Sequence, residues 1–258
     1  MLRSRLIWIA SLLFPALLLP RPVRCETPED VVRSFTDQKL ILRGLGDQKR
    51  ISVKEKDLAT ISGTCDLAVQ VTQAVWNEDR ALFTLVEIGT PSLANRPRAC
   101  KRTSAYGDGT LEISGFKGDV PAEELKAAIG QVLQTPEQYM TAMGVSLNIP
   151  RNVSSAANDA GRIPEGMSPS ESGPKVVLSI NPAYSKAARQ AKYQGEVVVT
   201  VVVGPDGRAH NFKVARTLGL GLDESVTNVL PLWRFEPARM NDKAVGVQLT
   251  LELAFHLY

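Results

Sequence analysis

The chain offers few side chains for catalysis. Its only histidines, His210 and His256, fall on alternating apolar-polar segments with no cysteine or carboxylate at ligand spacing, so no metal set is supplied. Glu123 and Glu124 are paired in sequence alone, which does not place two carboxylates across a scissile bond. Asp206-Gly207 reads as a turn, and the "GLGLD" ending at Asp223 as the start of a helix rather than a dinucleotide fingerprint. Nucleophile-elbow, phosphate-loop and H-E-x-x-H patterns are lacking. These residues point away from an enzyme and call for no cofactor. What remains is main-chain chemistry. "GEVVVTVVVGPDGR" sets six valines around Thr200, and a strand this apolar is buried on both faces or awaits a partner.

The elements that position that strand lie in a chain of 258 residues with net charge +3, long enough for one large or two small domains. Its basic residues form no block interleaved with aromatics, which argues against nucleic acid. Residues 1–25 carry Arg3 and Arg5 ahead of an apolar run interrupted by Pro15, the pattern of a signal peptide or N-terminal membrane anchor. Cleavage after Cys25 leaves Cys65 and Cys100 in an oxidising compartment, as a disulfide or as two unpaired buried thiols.

Residues 26–148 read as a strand-rich domain of unassigned role with one or two helices. "KLILRG" and "RISV" flank "LGDQK" as a hairpin, and Leu67, Val69, Val71 and Val75 alternate with Gln70, Thr72 and Ala74 as a half-buried strand. "ALFTLVEI" and "GTLEI" supply further strands. Asp119 caps a helix whose buried face carries Leu125, Ala128, Ile129, Val132 and Leu133, and Thr135-x-x-Gln138 opens a second that stops at Gly144. Residues 149–174, rich in Ser, Pro and Gly, form a linker that spans roughly 25 to 30 Å as a coil.

In residues 175–258, Ser185 caps a short helix with Ala187, Ala188 and Ala191 on one face. The valine strand turns at Pro205-Asp206-Gly207 into a strand carrying His210, Phe212 and Val214. Asp223 caps a second helix with a stripe of Leu222, Val226, Val229, Leu230 and Trp233, which Pro231 ends or kinks. A final strand over 245–255 alternates Val245, Val247, Leu249 and Leu251 with Gln248, Thr250 and Glu252. The fold class is α+β.

The ordered set Tyr184, Gly195, Asp206-Gly207, Leu222-Asp223, Trp233-Arg234-Phe235, Pro237 and a terminal alternating strand resembles the TonB C-terminal domain. That resemblance implies two helices on a small antiparallel sheet. It also implies a periplasmic or cell-envelope protein that binds a TonB-dependent outer-membrane receptor by adding the receptor's segment to the sheet edge, in support of siderophore-type uptake. The edge it implies is the final strand, with Val245, Val247, Gln248, Leu249, Thr250, Leu251 and Glu252 as partner-binding residues. The family's inner-membrane proton-driven motor is a further implied partner, but the usual anchor histidine after a serine is missing beyond Ser11, and a folded domain replaces the long spacer. An adaptor without energy transduction is the alternative, and an exported enzyme with its site in the N-terminal domain a third reading. The phase of the valine strand sets Val197, Val199, Val201 and Val203 under the helices. Val198, Thr200 and Val202 then form a second face to be covered by another copy, as a homodimer, or by the N-terminal domain.

Overall fold

The computed structural model describes residues 26–61, 63, 65–94, 108–146 and 173–257. The N-terminal segment, Cys25, Cys100 and residues 149–172 of the segment read as a linker lie outside the described residues.

The first module opens with α1 (Pro28–Arg33), closed by a Thr27/Asp30 capping box. It continues through β1 (Lys39–Leu42), β2 (Arg50–Lys54), β3 (Leu67–Asn77), β4 (Arg80–Leu93), β5 (Asp108–Ser114), α2 (Ala122–Ile129), β6 (Leu133–Gln134) and α3 (Pro136–Ala142). The second module contains β7 (Lys175–Pro182), α4 (Lys186–Gln190), β8 (Gly195–Val203), β9 (Ala209–Arg216), α5 (Leu222–Val229), β10 (Arg234–Glu236), β11 (Ala238–Met240), β12 (Lys243–Val245) and β13 (Val247–Phe255).

The large sheet runs β10-β7-β4-β3-β1-β6, with β5 beside the first half of β4 and β2 parallel to β5. Strands before and after residues 147–172 therefore share one sheet. β7 pairs with the second half of β4, from Gly89 opposite Pro182 to Leu93 opposite Leu178. Gly89 is required there, because a Cβ would come within 2.3 Å of the Asn181 carbonyl oxygen. Leu40, Leu42, Val69, Phe83 and Leu111 face α1 and α2 on one side of this sheet. On the other side Ile41, Ala68, Ile88, Leu178 and Ile180 join Tyr139 and Met140 of α3 and Val226 and Val229 of α5 in a second core. α5 lies between the large sheet and a three-stranded antiparallel sheet, β13-β8-β9, touching β4 and β7 on one side and β8 on the other. The fold is α+β, and both modules contribute to the second core.

Several local expectations change for physical reasons. β1 and β2 form no hairpin: β1 pairs with β3 and β6, and β2 with β5, because Leu40, Ile41 and Leu42 need cover on both faces and sit inside the sheet. A bulge between Val71 and Gln73 inverts the phase of β3, so Ala74 turns inward and Val75 is 42% exposed. Pro121, not Asp119, is the N-cap residue of α2. Gly221, in the left-handed region, is that of α5, while the Asp223 carboxylate accepts the amides of Leu218 and Gly219 and braces the preceding turn. Of the α4 alanines Ala188 alone is buried. The α3 capping box forms as expected, and the amide of Val145 donates to Met140 across left-handed Gly144, a Schellman ending. Pro231 does end α5, at a short 3-10 turn over Leu230–Leu232.

Candidate partner-binding edge

β13 lies at one edge of the three-stranded sheet and β9 at the other. The β8 pairing of β13 runs without a register break from Val247 opposite Val203 to Phe255 opposite Gly195. Strict alternation follows. Gln248, Thr250 and Glu252 are exposed, whereas Leu249 and Leu251 point to the core side and are only half-buried, since beyond β13 no described strand covers them. Val245 does not belong to this edge. The strand is interrupted at Gly246, and Val245 pairs with Ala238 in the β11-β12 ribbon, whose two-residue turn holds Asn241 and Asp242 at positive φ.

The opposite edge is guarded. β9 pairs with β8 through two register shifts, carries Asn211 at φ 47° and exposes Lys213 and Arg216. Such irregularities and charges discourage pairing with another strand. Between the edges, Val197, Val199, Val201 and Val203 are fully buried, as their phase requires. The opposite face of β8 was expected to be covered, and this is only partly met: Val202 is buried, but Val198 and Thr200 are half-exposed between polar cross-strand neighbours.

The other motif residues support the edge from behind. Tyr184 meets Phe255 of β13 edge-on at 5.2 Å between ring centroids, and the Arg189 guanidinium lies over the Tyr184 ring, 5.7 Å from its centroid. Burial raises the Tyr184 phenol pKa, partly countered by Arg189. Its buried hydroxyl finds no hydrogen-bond partner among the described residues. A Cβ on Gly195 would lie 2.6 Å from the Leu218 side chain at a φ of +154°, so glycine lets β8 begin beneath that leucine. Asp206 and Gly207 form the β8-β9 turn, where Asp206 accepts the Arg208 amide and the Gly207 carbonyl accepts the Phe235 amide. His210 is not without a carboxylate partner as expected, since its Nε2 lies 3.0 Å from both oxygens of Asp206 across this turn. Exposed His256 follows the end of β13. Among the described residues no three His, Cys, Asp or Glu side chains gather as a metal set. The Trp233 indole donates to the Ile180 carbonyl, Phe235 is fully buried, and Leu222 and Pro237 are buried beside them.

Arg234 joins the two modules. Its side chain, 5% exposed, donates to the carbonyls of Pro231 and Trp233 and through Nε to Glu137 Oε1 of α3 at 2.9 Å. Arg208 reaches the same oxygen at 2.6 Å. Burial pushes the Glu137 pKa up, but the two guanidiniums and a backbone hydrogen bond outweigh it and hold the carboxyl below its ordinary value. Burial lowers the Arg234 pKa, against the pull of Glu137. Glu137 carried no signal in the sequence beyond an acid in the first turn of a helix, and its role depends on a partner 97 residues away. Cys65, at the foot of β3, is disulfide-bonded. None of the helices among the described residues is long and apolar enough to cross a membrane.

Residues 180–257 match the family model for the Gram-negative bacterial TonB protein C-terminal. Among solved structures, the solution NMR structure of the Pseudomonas aeruginosa TonB C-terminal domain is 29% identical, covering 34% of this chain and 89% of that one, with a TM-score of 0.29. No curated protein matches the chain. By its family-model match, the segment 180–257 is a TonB C-terminal-family domain, and in this chain its first strand is paired into the sheet of the module that precedes it.

Proposed function

We propose that this chain is a bacterial cell-envelope protein whose TonB-family domain captures the N-terminal segment of a TonB-dependent outer-membrane receptor by strand addition on β13, in support of siderophore-type uptake. One observation carries the reading. β13 is a nine-residue edge of unbroken register whose core-side leucines are half-covered, so an added strand gains main-chain hydrogen bonds and apolar burial together. The family match of residues 180–257 supports this class of partner. In this reading residues 1–25 export or tether the chain, and Cys100 is the partner of Cys65.

The test is binding of a labelled receptor N-terminal peptide to the purified chain, followed by fluorescence anisotropy. A Thr250→Pro substitution removes a main-chain donor and stiffens the edge, and is expected to weaken binding at least about tenfold. Unchanged affinity, with thermal unfolding showing an intact fold, removes β13 from the mechanism.

A second reading, an adaptor that binds receptors without transducing energy, is favoured by the shared second core, which seats the domain on the first module rather than at the end of a long spacer. Uptake of a labelled siderophore by a deletion strain separates the two. Lost uptake supports transduction, and normal uptake supports the adaptor.

A further inference from the structure

The edge strand carries information about its occupant beyond the ability to pair. On the exposed face, cross-strand rows run Arg216–Val198–Glu252, Lys213–Thr200–Thr250 and His210–Val202–Gln248. Glu252 is the only charged residue on β13 and has no ion-pair partner among the described residues. The basic group in its own row, Arg216, is engaged 2.8 Å from Glu196. On the core-facing side the rows through Val201 and Val199 end at half-exposed Leu249 and Leu251. The next position outward in each row is vacant of any described strand.

Resting on the strand-addition reading, we propose that Glu252 selects the docked strand, which is a short extended peptide with apolar residues opposite Leu249 and Leu251 and a lysine or arginine opposite Glu252. Because side chains alternate along a strand, the two apolar positions are two residues apart, with the basic residue directly beside the one facing Leu251. The apolar pair completes the core-side rows and gives affinity. The basic residue fixes register, since a slip of one position would bury it against the leucines. An acidic residue in its place is repelled across the strand pair.

Two fluorescein-labelled nine-residue peptides test this on the full chain. Both alternate valine and threonine, and they differ only in lysine or glutamate at the position facing Glu252. Cross-strand charge pairs, attractive in one peptide and repulsive in the other, predict roughly a two- to thirtyfold preference for the lysine peptide. That preference should shrink in 0.5 M salt and reverse in Glu252→Lys, an exposed substitution that leaves the core intact. Equal affinities, or a preference unmoved by Glu252→Lys, overturn charge selection. Amide hydrogen exchange keeps the two claims apart. Protection of alternate amides over residues 247–255 by both peptides upholds strand addition even where selection fails, whereas binding without that protection overturns strand addition itself. Failure of both peptides to bind, or a doubled mass by light scattering with β13 amides already protected, overturns the proposal, the latter in favour of a second copy.

Discussion

The C-terminal domain has two flanks that can take an extra strand, and the chain treats them oppositely. The flank of β7 is already filled by β4 of the first module, over the five residues Gly89 to Leu93. The flank of β13 is open along nine residues. The filled seam shows what an occupant needs. Pro91 and Leu93 of β4 stand beside Ile180 and Leu178 on the core side, Thr90 and Ser92 face away, and Gly89 lets the backbones close. Main-chain pairing is common to every edge, and it is the apolar rows that decide which edge is worth filling. β9, with its bulges, left-handed Asn211 and exposed Lys213, has the hydrogen-bonding groups but not the regular rows.

The sharpest way to break this comparison is to block each flank sterically. Gly89→Val drives a branched side chain into the Asn181 backbone and Ile180, and overpacking plus lost pairing is expected to cost about 3 kcal/mol, roughly 6 to 12 °C in Tm. Ala254→Val, on exposed β13, should change stability by no more than about 0.5 kcal/mol. Equal losses by differential scanning calorimetry would mean that the seam is no more integral than the open edge. Next in size is Arg234→Ala. It removes the buried guanidinium that ties α3 to the second module and is expected to lower stability by about 2 kcal/mol, less than for a fully buried pair because Glu137 is half-exposed and keeps Arg208.

The C-terminal half was the more readable part of the sequence. The valine phase, the Leu222–Val226–Val229 stripe and the Pro231 break are local periodicities, and each appears where its spacing puts it, while Leu230 and Trp233 are buried beyond the end of α5. What escaped depends on long-range pairing. "KVVLSINP" has no clean alternation, and only its position between β4 and β10 makes it a strand of the large sheet. The bulge in β3 shifts the phase by one residue without a glycine to mark it. The edge was readable as an alternating strand, but not its start. Val245 and Val247 continue one pattern across Gly246, and the β11 partner that captures Val245 is itself only three residues long.

A smaller effect separates binding from folding at β13. Leu251→Ala removes half-covered apolar surface from the edge, so it should weaken peptide binding by about 1 kcal/mol, near fivefold in Kd, and lower Tm by only a few degrees. A marked fall in Tm with Kd unchanged would mark Leu251 as ordinary core and remove the apolar row from the account of the edge.

The smallest expected effect concerns the clamp behind the seam. Arg234 and Arg208 hold the Glu137 pKa below its ordinary value near 4.5, so between the two values the unfolded chain binds a proton that the native chain does not. Stability therefore rises with pH in that interval. The contribution is complete above about pH 4.5 and is lost as the pH falls through the lowered native value. Glu137→Gln deletes this term, so the gap between wild type and variant in urea midpoints should be constant at neutral pH and narrow on acidification below pH 4.5. β13 has no such clamp, since Glu252 has no ion-pair partner among the described residues. A gap that stays fixed on acidification for Glu137→Gln would mean that this carboxylate does not stabilise the filled seam.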